Sequence, residues 1–284
     1  MSQNTLAAHP PAAARTAAPV FKPRRKTGTF VFNALVFLLY LFLLAPLLIV
    51  VVISFASNQY LSFPPEGFTL DWYAALPGQE TFMSGLRISL ITASAVTVLV
   101  LILGVPAALA LARFRFKGKA AIQAFFLSPL MIPSIVLALG LVLLFGPLKL
   151  NNTYAGIIIG HIAVTFPFVV RTTLMSLATT DTSCEEAARI LGGDSWTVFR
   201  RITLPLIRPG VIAGGVIAFI VSFDEAVISL FVAESGLPTL PVQVLRYVEN
   251  SADAAVAALS VLLILFSMAV VVIVERVMGL RKAL

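Results

Sequence analysis

Residues 181–208 read DTSCEEAARILGGDSWTVFRRITLPLIR, a polar island between two runs apolar enough to cross a membrane. Ser183 followed by Glu186 has capping-box spacing, so a short helix is expected to start there. Gly192 and Gly193 supply the permissive backbone that ends it. Asp194 or Ser195 can cap a second short helix, which Pro205 is expected to terminate. A few residues suffice to reconnect two spans. Twenty-eight residues of structured polar chain instead point to a docking surface for a soluble partner.

The chain around the island is 59% hydrophobic and 12% charged over 284 residues. A soluble domain of this size cannot bury so much apolar surface, so the expected fold is an all-α membrane protein. Six runs are near the ~20 residues needed to cross the hydrocarbon layer: about 31–55, 87–112, 120–146, 153–178, 209–233 and 254–277. Residues 1–30 are Ala/Pro-rich with a basic end and are expected to form a disordered cytoplasmic tail ahead of a six-span domain, 31–284. The tail is too long and polar for a signal peptide.

Lysine and arginine orient the spans. Basic residues cluster in the tail (Arg15, Lys22, Arg24, Arg25, Lys26), after the second span (Arg113, Arg115, Lys117, Lys119), in the island (Arg189, Arg200, Arg201, Arg208) and at the C-terminus (Arg276, Arg281, Lys282). The alternate loops hold only Lys149 and Arg246. Both termini and the island are therefore expected in the cytoplasm. The net charge of +7 follows from the same bias, with lipid as its partner and no nucleic acid implied.

Within the spans, Pro129 and Pro133 are expected to bend or break the third helix, as a fixed kink or as a gating element. Gly156-x-x-x-Gly160 and Gly210-x-x-x-Gly214 permit close helix approach. His161 reads as a satisfied core histidine, and Arg171 as a residue reaching toward headgroups. Trp72 and Tyr73 suit a membrane interface, and their loop, the largest outer one (56–83), reads as a structured connector or as a contact for an external protein. Asp224 and Glu225 are costly in an apolar run unless paired, hydrated or protonated. As consecutive helical residues they would point about 100° apart, so both cannot face one partner. One reading has one of them line a water-filled substrate path that favours a cation while the other pairs with a neighbouring helix or subunit. The other puts them in a bend or near the outer end, serving packing alone.

Enzymatic chemistry has no motif. The phosphate loop is absent, since Gly118-Lys119 is followed by Ala120 outside the required pattern, and HExxH and GxSxG are missing. One cysteine, Cys184, and two histidines, His9 and His161, leave no metal cluster. An enzyme is not expected, and no cofactor is expected in this chain.

The island carries a resemblance. Glu186-Ala187-Ala188, three residues, Gly192, nine residues, Ile202, one residue, then Leu204-Pro205 resembles the EAA loop of ABC importer permeases. The resemblance extends from about residue 30 to the end. It implies the type I (MetI-like) six-span fold, with the loop as a coupling helix seated in a cleft of a cytoplasmic ATPase. It also implies a second permease subunit, two ATPase subunits that bind ATP and Mg, and a periplasmic solute-binding protein, in the bacterial inner membrane. The segments Tyr60–Leu70 with Trp72-Tyr73, Ser222–Glu225 and Leu240–Val242 are similar to the second permease of spermidine/putrescine importers. Relatives that import iron, thiamine, 2-aminoethylphosphonate or sulfate share the layout. A stand-alone transporter or channel using Asp224 and Glu225 is the competing class, and it leaves the island without a purpose.

Overall fold

The computed structural model describes residues 26–58, 62–233, 236–250 and 253–278. The chain divides into two units, residues 1–48 and 49–284. The first holds most of helix α1 (Lys26–Ile53). This helix starts five residues ahead of the expected span, and the remainder of the expected tail lies outside the described residues. Its side chains Phe37, Phe42 and Leu43 are exposed, as suits a helix whose solvent is lipid.

In the second unit, α2 (Asp71–Ala75) follows the first span. Trp72 Nε1 donates to the Ala56 carbonyl at 2.8 Å, and the Tyr73 hydroxyl to Ser54 Oγ at 2.7 Å. The aromatic pair thus ties a structured connector to residues 54–56 of the same unit, its polar tips satisfied internally. Helix α3 (Glu80–Arg113) is the second span.

The third span is interrupted, as Pro129 and Pro133 require. Helix α4 (Lys119–Leu127) runs into a 3-10 turn, Ser128–Leu130, that contains Pro129. Pro133 then precedes α5 (Ser134–Leu148). The two arms are bent by 103°, a break rather than a kink. Neither proline can donate to the preceding turn, and Pro133 also pushes its predecessor out of the helical region.

Helix α6 (Tyr154–Ala178) is the fourth span, capped by Thr153, whose hydroxyl accepts from the Gly156 amide at 3.0 Å. Next come α7 (Ser183–Ile190), α8 (Ser195–Val198) and α9 (Leu204–Asp224). The expectation that Pro205 ends the second island helix is overturned. Residues Ser195–Asp224 form one helix of 30 residues, with a π-helical turn, Phe199–Thr203, ahead of Pro205. The Leu204 amide reaches back to the Phe199 carbonyl. This wider turn gives room for the proline ring, which would otherwise collide with the carbonyl four residues back. The fifth span therefore begins well inside the island and stops at Asp224. Helix α10 (Val227–Val232) follows as a separate short piece.

Helix α11 (Leu240–Asn250) was not expected from the sequence. It lies on α3, where the Leu240 amide donates to Ser89 Oγ at 2.9 Å. Helix α12 (Ala254–Met278) is the last span.

Among the described residues, five helices are long and apolar enough to cross a membrane, and the bent α4–α5 pair makes a sixth crossing when counted as one span. The core of the unit is the mutual packing of α3, α6 and α9 around Val100, Ala108, Val169, Leu177, Ile207 and Ala218. Gly210 and Gly214 explain how closely α9 approaches α6, whereas Gly156 meets the Leu150 carbonyl of its own loop and Gly160 meets α10. A Cβ on Gly214 would stand 2.5 Å from Thr172 Oγ1, and one on Gly210 2.5 Å from Ser176 Cβ. Small residues at this spacing let backbones meet without a hydrophobic drive between helices.

Candidate functional site

Two places in the fold concentrate polar groups: the island, and the break between α9 and α10.

The capping box expected at the island does not form. Asp181 Oδ1 accepts from both the Ser183 amide (3.0 Å) and the Ser183 hydroxyl (2.7 Å). Thr182 rather than Ser183 stands at the N-cap, and the Glu186 amide bonds the Thr182 carbonyl at 3.0 Å. These bonds, the amide's foremost, hold the Asp181 carboxyl below the ordinary aspartate range.

The glycine end forms as expected. Gly192 has φ +85°, its amide bonds the Arg189 carbonyl at 3.0 Å, and the Gly193 amide bonds Ala188 at 2.9 Å. These two bonds are the Schellman pattern. Gly193 is needed for space, since a Cβ there would lie 2.8 Å from the Ala188 carbonyl oxygen. Asp194 is the cap of α8: its Oδ2 accepts from the Trp196 and Thr197 amides at 3.1 and 3.4 Å. Hydrogen bonding from the Thr197 side chain, with smaller help from those amides, lowers its pKa.

The motif residues divide by exposure. Glu186, Ala187, Gly192 and Pro205 are exposed, while Ala188, Ile202 and Leu204 are half-buried. At the tip, Ile190 is 86% exposed, Leu191 87% and Trp196 65%. All three lie on α7, α8 or the turn between them, in an otherwise polar segment. Arg189, Arg200 and Arg201 are exposed in the same segment.

Sequence reasoning missed Glu185. It is the buried side chain of α7, and its Oε1 accepts from Arg113 Nη2 at 2.8 Å. A polar cavity of about 400 Å³ adjoins the pair, lined by Arg115, Lys119, Glu186 and Arg189 among others. The motif drew attention to Glu186. The signal for Glu185 was the basic end of α3, which needed an acidic neighbour that only the fold supplies.

The second place corrects the expected geometry of Asp224 and Glu225. They are not consecutive residues of one helix. Asp224 is the last residue of α9, and Glu225 is extended (ψ 100°). Glu225 Oε1 turns back to accept from the Ile228 amide at 3.1 Å, satisfying one of the free donors that open α10. Asp224 is exposed and borders a cavity of about 350 Å³ lined by Phe219, Phe223, Phe266, Leu240 and Leu263. The Phe219 and Phe223 rings stack at 6.1 Å, and Phe223 meets Phe266 at 5.2 Å.

Beneath the break lies His161, 1% exposed. Its Nδ1 is 2.9 Å from Ser222 Oγ on α9, and its Nε2 is 2.9 Å from Ser229 Oγ on α10. The expectation of a satisfied core histidine holds, but its partners were invisible in the sequence.

Residues 101–280 match the family model of the binding-protein-dependent transport system inner membrane component. The chain belongs to this family. It is the permease subunit of an ABC importer, an inner-membrane component of a bacterial transport system. It is 32% identical over 249 residues to the spermidine/putrescine transport system permease protein PotC of Haemophilus influenzae, covering 87% of this chain and 96% of that one. It is 33% identical over 230 residues to the putrescine transport system permease protein PotI of Escherichia coli K12, covering 78% and 82%. Among solved structures, a bacterial ABC transporter that imports the acidic polysaccharide alginate matches with TM-score 0.69 at 18% identity, covering 92% of this chain and 99% of that one. At that identity the likeness speaks for the fold.

Proposed function

We propose that this permease carries polyamines of the spermidine/putrescine kind inward, paired with a different permease chain. In this reading two ATPase subunits receive the island, a periplasmic binding protein delivers the solute, and both termini and the island lie in the cytoplasm. The observation that carries the coupling part is the island itself. It is a helix–turn–helix that exposes Ile190, Leu191 and Trp196, and its second helix runs on through the π-turn into a transmembrane helix. A push on α8 is transmitted along the continuous helix to Asp224. Glu186, Ala187, Ala188 and Gly192 shape the seat, while Ile202 in the π-turn, with Leu204 and Pro205 directly after it, forms the joint between island and span.

Solute choice rests on the likeness to polyamine permeases and on Asp224. An exposed carboxylate beside three phenyl rings suits an alkylammonium: the ammonium meets the carboxylate and the ring faces, and the methylenes meet apolar walls. Glu225 contributes by capping α10, and the broken α4–α5 span at Pro129 and Pro133 supplies a jointed wall that moves during gating.

The test is ATP-driven uptake in proteoliposomes holding the whole complex, with labelled spermidine and a neutral solute in parallel. Saturable spermidine uptake that falls in Asp224→Asn supports the reading. Preference for the neutral solute, or uptake without ATP, sinks it.

A further inference from the structure

The break between α9 and α10 is assembled on α6 at one point. A Cβ on Gly160 would stand 2.7 Å from Ile228 Cγ2, so this glycine admits the first turn of α10 against α6. The amide of the same Ile228 is the one that Glu225 caps. The next residue along α6 is His161, whose two ring nitrogens reach the hydroxyls of Ser222, before the break, and Ser229, after it. All three side chains are buried, the serines at 2% and 0% exposure.

We propose that His161 is a positioning residue. Through Ser222 and Ser229 it fixes the angle and register between α9 and α10, and so the direction in which Asp224 presents its carboxylate. A neutral imidazole offers one donor and one acceptor on opposite sides of a rigid ring, and a serine hydroxyl answers either role. It therefore spans two helix segments as a strut of fixed length. A flexible side chain of similar volume could make each bond but would not fix their separation. Backbone bonding cannot do this task, because Glu225 is extended and the helical ladder is interrupted there. The Thr165 hydroxyl bonds the His161 carbonyl at 2.7 Å, leaving the ring committed to the serines. The proposal rests on the reading of Asp224 as a pathway residue, and the test separates the two.

The test uses the full chain in lipid nanodiscs, with Cys184→Ser and spin labels at Val216→Cys and Leu230→Cys, one on each side of the break. The expected result is a single narrow distance distribution that broadens in His161→Ala. It recovers partly in His161→Asn, whose amide keeps the bond on the Ser222 side. In cells, His161→Ala raises the KM for labelled spermidine by about tenfold, the scale of one lost hydrogen-bonded contact, with the maximal rate within about twofold. Ser229→Ala, which removes one oxygen, gives the same direction of change and serves if His161→Ala fails to reach the membrane. An unchanged distance distribution in both variants overturns the proposal, as does equal impairment in His161→Asn and His161→Ala, which would mean that the bond kept by asparagine does not hold the angle. If the distances broaden while Asp224→Asn leaves uptake untouched, the positioning stands and the pathway reading falls.

Discussion

Arg113, the last residue of α3, and Glu185, in the first turn of α7, are separated by 72 positions in sequence and 2.8 Å in space. The carboxylate is nearly buried and the guanidinium partly so, with side-chain exposures of 4% and 20%. The pair fastens the island to a core helix other than its own flanking spans. It therefore sets where the exposed tip points.

Breaking the pair from either side should differ. Arg113→Ala leaves a buried carboxylate without its partner and should destabilise the island by about 2 kcal/mol. Glu185→Gln keeps the shape and a hydrogen bond, and should be milder. Arg113→Met with Glu185→Leu should restore much of the loss. Co-purification of ATPase with the permease reads all three, and the proposal of a positioning pair fails if Arg113→Ala binds ATPase as well as the unaltered chain.

Gly192 is the island's conformational hinge point. At φ +85° a side chain costs about 1 kcal/mol, and asparagine costs less than alanine or valine. ATPase association should therefore decline from the unaltered chain through Gly192→Asn and Gly192→Ala to Gly192→Val, while membrane insertion stays constant. A flat series would show that the turn does not need this backbone.

Asp194 caps α8 as a carboxylate with a lowered pKa. A depressed folded-state value means that its contribution is complete above the unfolded pKa and fades only as pH falls through the folded one. Binding of the ATPase should hence be insensitive to this group between pH 5 and pH 8, an interval well above the ordinary aspartate pKa of ~3.9. Asp194→Asn should retain binding and Asp194→Ala should weaken it at every pH. A pH-dependent difference between the unaltered chain and Asp194→Asn within that interval would contradict the assignment.

Gly160 meets Ile228 too closely for a side chain. Gly160→Val should displace α10 and cost about 1–3 kcal/mol by overpacking, lowering thermal stability in detergent. Adding Ile228→Ala should recover part of it, because the two changes share one contact. Additive losses would place the clash elsewhere.

Pro133 holds the sharp turn into α5. Pro133→Ala should leave insertion unaltered and reduce uptake, because a restored amide lets the helix extend toward the 3-10 turn. Unaltered uptake would make the broken span a static feature.

Much of this was legible in the chain. The apolar runs gave the spans, the lysine and arginine bias gave an expected orientation, and Gly192-Gly193 and Asp194 gave the island's turn, because each is a local property of backbone or composition. Pro205 misled for a local reason: its cost to a regular helix is real, but a π-turn removes the collision. Helix α11 was missed because eleven amphipathic residues in a loop carry their meaning only against α3 and its Ser89.

What the sequence alone determined, then, was the class of machine: a spanning helical permease with an EAA-type loop and no phosphate loop of its own. Only the tertiary structure decided that Glu185 rather than Glu186 is the island's anchor, that Asp224 and Glu225 straddle a helix end, and that His161 bridges it. Those are meetings between residues far apart in the chain. A hydrogen bond of 2.9 Å from His161 to either serine depends on where three helices pack, and no spacing within one helix encodes that.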